Sequence, residues 1–115
     1  MKLEFTVPYP PSGNRLTRRG RFHQYESKES KAYKTSVGLL LKSQKVTKFD
    51  KETLLSVTAH IYRPRASGDL DNRLKALLDA LNGLVWEDDR QVVEIHAYRN
   101  DDKANPRVEV IVMSK

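Results

Sequence analysis

The stretch 68-GDLDNRLKALLDALNGLVWEDDRQVVE-94 decides how this chain of 115 residues folds. Leu70, Leu74, Leu77, Leu78 and Leu81 recur at the three- and four-residue spacing that lines up one side of a helix. Gly83 supplies the usual C-terminal stop. Asp69 and Asp71 stand at the helix start, where unpaired backbone N–H groups and the helix dipole favour negative charge. "QVVEIHAYR", from Gln91, is rich in β-branched residues and reads as a strand, so the helix feeds a sheet directly.

Working outward, "TLLSVTAHIYR" reads as a strand from about Thr53 to Arg63, stopped by Pro64. Ser27 is placed to cap a helix running to about Lys45, with Tyr33, Val37, Leu40 and Leu41 as its apolar stripe. Leu3, Phe5 and Val7 alternate with polar residues in a first strand that the prolines at 8, 10 and 11 close by about Tyr9. From Ser12 to Gln24 no periodicity persists, and the segment reads as an exposed basic loop. "RVEVIVM" is the last strand, and the turn-like "NDDKANP" before it suggests an antiparallel hairpin with "QVVEIHAYR". The expected fold is a single α+β domain over residues 1–115, in the order β-α-β-α-β-β. A mixed sheet would carry both helices on one face. The other face would be free to pack on a second copy.

The chain has 21 Lys plus Arg against 15 Asp plus Glu, for a formal charge of +6 and a pI near 9.7. That balance points to a polyanionic partner, nucleic acid before an anionic membrane. Without cysteine there are no disulfides and no thiolate metal sites. The N-terminus lacks the apolar region of a signal peptide, and no run approaches the roughly 20 apolar residues of a membrane helix. A soluble, intracellular protein is expected.

The charges are segregated. Arg15 to Lys34 holds seven basic and two acidic residues, whereas Gly68 to Arg90 holds three basic and six acidic ones. Asn14, Arg15, Arg18, Arg19, Arg21, Lys28 and Lys31 are the candidates for contact with a phosphate backbone. The acidic segment has two readings. In the plainer one, Asp69 caps the helix, Asp71 pairs with Lys75 at i,i+4, and Asp88 and Asp89 form a turn. In the other, the aspartates surround a cation. Oxygen donors alone select Mg²⁺ or Mn²⁺, and such an ion on a phosphodiester serves hydrolysis. The helix is about 20 Å long at about 1.5 Å per residue, while five or six extended residues cross about 18 Å. If "GLVWE" were extended, Asp89 could therefore reach Asp69 and Asp71. Lys75, one turn beyond Asp71, is placed to stabilise charge on the reacting phosphate, and Asp79 continues that side.

"PYPPSGNR" near the start, "AYK" in the first helix, "DLDNRLKALLDALNG" and "WEDDRQVV" together resemble the RusA family of Holliday junction resolvases. The resemblance covers most of the chain. It implies a small homodimeric endonuclease of bacteria and their phages that uses Mg²⁺ or Mn²⁺ to cut paired strands of four-way DNA junctions. Such an enzyme would serve recombination and repair at the nucleoid, in the cytoplasm of a bacterium or phage-infected host. It further implies that Asp69, Asp71 and Asp89 are the catalytic metal-binding carboxylates and Lys75 the essential lysine, with Asp88 a lesser candidate. The alternative from another class is a non-catalytic basic module that only binds nucleic acid. A nucleotide-sugar transferase built on the D-x-D motif is disfavoured, because no glycine-rich phosphate loop accompanies it.

His23, His60 and His96 lack paired ligand spacing and are expected to be solvated or packed on the sheet. Trp86, in an apolar run, is expected to anchor a core or interface rather than stack on a base. Phe22 and Tyr25 suit base stacking and loop stapling equally. Lys42, Lys45, Lys48 and Lys51 form either a DNA-facing ridge or a solvated helix end.

Overall fold

The computed structural model describes residues 1–11, 17–19, 24–65 and 69–115, with backbone alone at 17–19 and 24–26. Its elements are β1 (Lys2–Pro8), β2 (Thr17–Arg19), β3 (Gln24–Glu26), α1 (Lys28–Ser43), β4 (Leu55–Arg63), α2 (Leu70–Leu81), β5 (Val92–Asp101) and β6 (Arg107–Ser114). The expected β-α-β-α-β-β order holds for the main elements. To it is added the small antiparallel pair β2 and β3, in which Arg18 lies opposite Tyr25. This pair corrects the reading of Ser12 to Gln24 as a plain loop. Three-residue strands are too short to show a period of two in sequence.

The main sheet runs β1-β6-β4-β5, with β4 and β5 parallel and the other neighbours antiparallel. β5 and β6 are therefore not a hairpin, because β4 lies between them. The connection 102–106 is carried across the end of β4: Asp102 N donates to Arg63 O at 2.8 Å, and Arg63 Nε meets Asp101 Oδ1 at 2.7 Å. Arg107 follows over the Tyr62 ring, 3.9 Å from its centroid, and its Nη1 meets Asp102 Oδ2 at 2.9 Å. Turn residues mark where the chain bends, not which strand it joins next.

Burial alternates strictly along β4, where Leu55, Val57, Ala59 and Ile61 are buried and the residues between them are half-exposed. Val108, Val110 and Val112 of β6 and Phe5 and Val7 of β1 continue the same buried layer. Both helices cover that face and share one core with it. Ser27 caps α1 as expected, its Oγ accepting from Ser30 N at 3.2 Å. The stripe of α1 differs from expectation at one place. Tyr33, Val37 and Leu41 are buried, Ser30 joins them, and Leu40 turns outward. Burial pushes the Tyr33 phenol upward from its ordinary range, and the hydroxyl donates to Pro8 O at 2.7 Å. Past the helix end, the Gln44 amide bonds both Thr6 N and Thr6 O, which blunts the open edge of β1.

The opposite sheet face is polar and aromatic. His60 stacks on Tyr98 with centroids 4.8 Å apart, and Glu94 gathers Lys115, Ser56 and His96. These hydrogen bonds, that from Lys115 foremost, lower the Glu94 carboxyl to about 2. A depressed carboxylate stabilises the fold above its unfolded value, near 4.5, and loses that contribution as pH falls through the folded one. Glu94→Gln should therefore lower the melting temperature at pH 7, and the gap from the parent chain should close as thermal scans are taken toward pH 2. An equal gap at both pH values would contradict this.

Candidate active site

The residues that shape the site come from α2 and the turn entering β5. Gly83 adopts φ +86°, and Gly83 N donates to Trp86 O at 2.7 Å. Leu84 N and Val85 N return to Leu81 O at 3.0 and 2.9 Å. The "GLVWE" segment is thus a tight turn closing the helix, not the extended crossing on which the meeting of Asp89 with Asp69 and Asp71 was premised. The reason is burial: Val85 and Trp86 are fully enclosed in the core and hold the turn down.

Beyond the turn, Gln91 is buried and uses all of its amide. Its Oε1 accepts from Glu87 N at 2.9 Å and Asp88 N at 3.1 Å, and its Nε2 donates to Asp50 O at 2.8 Å and Thr53 O at 2.9 Å. The Asp88 carboxylate accepts from Arg90 N at 2.9 Å and caps a single 3₁₀ turn over Asp89–Gln91. Glu87 pairs with Lys48 at 2.7 Å. Asp89 is held differently, through Trp86 Nε1, which donates to Asp89 Oδ1 at 2.9 Å.

Between α2 and β5 lies a cavity of about 350 Å³ lined by Asp71, Lys75, Asp79 and Asp89, with Leu74, Leu78, Val92 and Ile95 as its apolar wall. Asp71, Lys75 and Asp79 follow at four-residue steps, so they share one side of the helix. Asp71 and Asp89, far apart in sequence, thus face one space. Asp79, expected to continue the side of α2 that carries Asp71 and Lys75, is a lining residue too. Asp69 is the N-cap of α2 and is not among the lining residues. Its carboxylate makes no cap hydrogen bond, and Asn72 Nδ2 donates to its Oδ2 at 3.4 Å. Among the ion pairs of the described residues, none joins Asp71 to Lys75. The plainer reading holds for placement, with Asp69 at the N-cap and Asp71 in the first turn, its Oδ1 accepting from Asn72 N at 3.0 Å, but not for the cap hydrogen bond or the Lys75 pair.

The donor chemistry suits a hard cation. Asp71 and Asp89, two carboxylates lining one space, repel each other unless positive charge joins them. Mg²⁺ commonly takes only one or two protein carboxylates and completes its shell with water and phosphate. No group of three or more His, Cys, Asp or Glu forms a ready metal cluster among the described residues. The carboxylates of Asp71 and Asp89 are the oxygen donors that the cavity offers to such an ion.

The basic candidates are placed less fully. Asn14, Arg15 and Arg21 lie outside the described residues, and Arg18 and Arg19 are described only as backbone of β2. Lys28 and Lys31 are exposed in the first turns of α1. Arg73, which the sequence reading passed over, ties the segment before the basic stretch to α2. Its Nη1 donates to Pro10 O at 2.9 Å, and its guanidinium sits 4.8 Å from the Tyr9 ring centroid. Of the histidines, His60 is packed on the sheet as expected and His96 is exposed beside Glu94, while His23 lies outside the described residues.

The family model for Endodeoxyribonuclease RusA matches residues 8–113. The chain belongs to the RusA family. Relatives named crossover junction endodeoxyribonuclease RusA include that of Escherichia coli K12, 31% identical over 109 residues, covering 93% of this chain and 90% of the relative. That of Enterobacteria phage HK97 is 37% identical over 100 residues, covering 85% and 82%. That of Enterobacteria phage 82 is 31% identical over 109 residues, with 93% and 90% covered. As a RusA protein the chain is a nuclease, and its acidic cavity is the candidate for its chemistry.

Gln91→Ala tests the support of that cavity. Removing the amide frees four backbone partners; one left buried and unpaired costs about 1–3 kcal/mol and those that water reaches cost less, so urea denaturation should show a loss of roughly 2–4 kcal/mol. A loss under about 1 kcal/mol would mean that the turn stands without the clamp.

Proposed function

We propose that this protein is a divalent-metal-dependent endonuclease that resolves four-way DNA junctions by paired nicks, acting in recombination and repair. The observation that carries the reading is the shared cavity, in which Asp71, Lys75 and Asp79 of α2 face Asp89 from the turn before β5. The names of the RusA relatives supply the substrate class. Asp71 and Asp89 would hold Mg²⁺ or Mn²⁺, with Asp69 contributing from the helix start. When bound, the ion would polarise a phosphoryl oxygen and make a coordinated water more acidic.

The chain's own groups do the rest. The Lys75 ammonium, on the same side of α2 as Asp71, stabilises negative charge that grows on the phosphate oxygens. The basic stretch from Arg15 to Lys34 supplies sequence-independent grip on the backbone. A homodimer is part of the proposal, because a junction is resolved only by two cuts and a twofold pair of sites presents one to each strand. The sheet face opposite the helices, with Tyr98 and Met113 exposed, is open to such pairing. No helix among the described residues is long and apolar enough to cross a membrane. The cytoplasm, at the nucleoid, is the proposed place of action.

The test is cleavage of four-way junction, linear duplex and flap DNA, with Mg²⁺ or with chelator. Junction cutting that requires the metal is expected. Asp71→Asn should abolish it while junction binding holds or tightens, since a negative charge near phosphate is removed. Lys75→Ala should lower kcat by roughly 10²–10³-fold. Binding without metal-dependent cleavage of any DNA form would favour the non-catalytic module, and full cleavage by Asp71→Asn would sink the assignment.

A further inference from the structure

Trp86 has a fully buried side chain inside the core, yet its only polar atom reaches out of that core to the cavity. Nε1 donates to Asp89 Oδ1 at 2.9 Å. The three acidic residues after it have different fates. Glu87 pairs with Lys48 and Asp88 caps the 3₁₀ turn, so Asp89 alone of the three lines the cavity. The indole itself is fixed, because its backbone carbonyl accepts from Gly83 N at 2.7 Å and its residue bridges Asn82. A rigid donor rooted in the core thus grips an otherwise exposed carboxylate.

We propose that Trp86 is the positioning residue of the site, orienting the Asp89 carboxylate for the divalent cation. The inference rests on the metal-dependent reading above. One N–H occupies one lone pair of Oδ1 and leaves Oδ2, with the rest of Oδ1, for an ion. Partners that orient a ligand in this way commonly contribute about 10–100-fold in metal affinity. A donor anchored in packed core also costs little ordering when the ion arrives, unlike a solvated side chain. The opposite dependence, in which Asp89 merely satisfies a buried indole, predicts no effect on metal binding when the N–H is removed.

The chain contains one tryptophan, so indole emission reports on the surroundings of this residue, the Asp89 contact among them. Mn²⁺ binding to the full chain, without DNA, is measured by electron paramagnetic resonance of the free ion, and emission is followed during a parallel Mg²⁺ titration. Thermal scans in chelator establish folding. The parent chain should bind Mn²⁺ with a change in emission on Mg²⁺ addition, and Asp71→Asn should lose both. Trp86→Phe, which keeps an aromatic ring and removes the donor, should bind roughly 10–100-fold more weakly. Val85→Ala, a buried neighbour with no polar role, should lose stability and keep its affinity.

Equal Mn²⁺ affinity in folded Trp86→Phe and the parent overturns the positioning role and leaves the nuclease reading intact. Should Trp86→Phe fail to fold, the parent's emission decides: a response to Mg²⁺ that Asp71→Asn lacks supports the role, and silence while Mn²⁺ binds overturns it. Failure of the parent to bind Mn²⁺ at all overturns the metal reading and this inference together.

Discussion

The parallel pairing of β4 with β5 is the constraint on which the rest of the molecule depends. Parallel neighbours cannot be joined by a tight turn, so the chain must travel back along the sheet between them, and α2 is that return. Once α2 lies there, one of its sides packs into the core through Ala76, Leu77, Ala80 and Leu81. The adjoining side faces β5 across a groove. Asp71, Lys75 and Asp79 fall on the groove side at four-residue steps, and the turn that begins β5 brings Asp89 to meet them. The position of the acidic residues therefore follows from topology before any metal is considered. Two buried side chains fix the detail. Gln91 clamps the turn to the segment before β4, and Trp86 holds the carboxylate.

The proposed mechanism divides the work of one nuclease between the basic and acidic segments. Positive charge distributed over a whole surface would draw DNA but could not gather a cation, and a negative cavity alone would repel the backbone it must cut. Lining the space with apolar walls beside the carboxylates would reconcile the two, since an ion bound there would reverse the local sign where the phosphate arrives. Lys28 and Lys31, exposed at the start of α1, add to the positive charge of the Arg15 to Lys34 segment.

Much of this was legible in the sequence because it is written in local patterns. The leucine spacing of α2, the alternation in β1 and β4, the Ser27 cap and the stop at Gly83 each depend on residues a few positions apart. What was missed depends on distant partners. β5 and β6 look like a hairpin until the demand of β4 for two paired edges separates them. Leu40 fits the α1 stripe by spacing, but the helix rotates so that Ser30 is buried in line with Tyr33 and Val37. The aspartates stood out by type and order, and Asp71 and Asp89 do share a cavity. An extended "GLVWE" was the wrong route to that result, because the burial of Val85 and Trp86 curls the segment. No pattern could reveal that the indole meets Asp89, since a three-residue separation outside a helix carries no fixed geometry.

The groove between α2 and β5 is the proposed site of a divalent cation. Paramagnetic broadening of backbone amide signals by substoichiometric Mn²⁺ tests it most directly, because the effect falls steeply with distance from the ion. The amides of Asp71, Lys75 and Asp89 should broaden first, with those of Glu94, His96 and the Lys42 to Lys51 segment following only at higher metal. Earliest broadening around Glu94 and His96, or none near Asp71 and Asp89, would contradict the account.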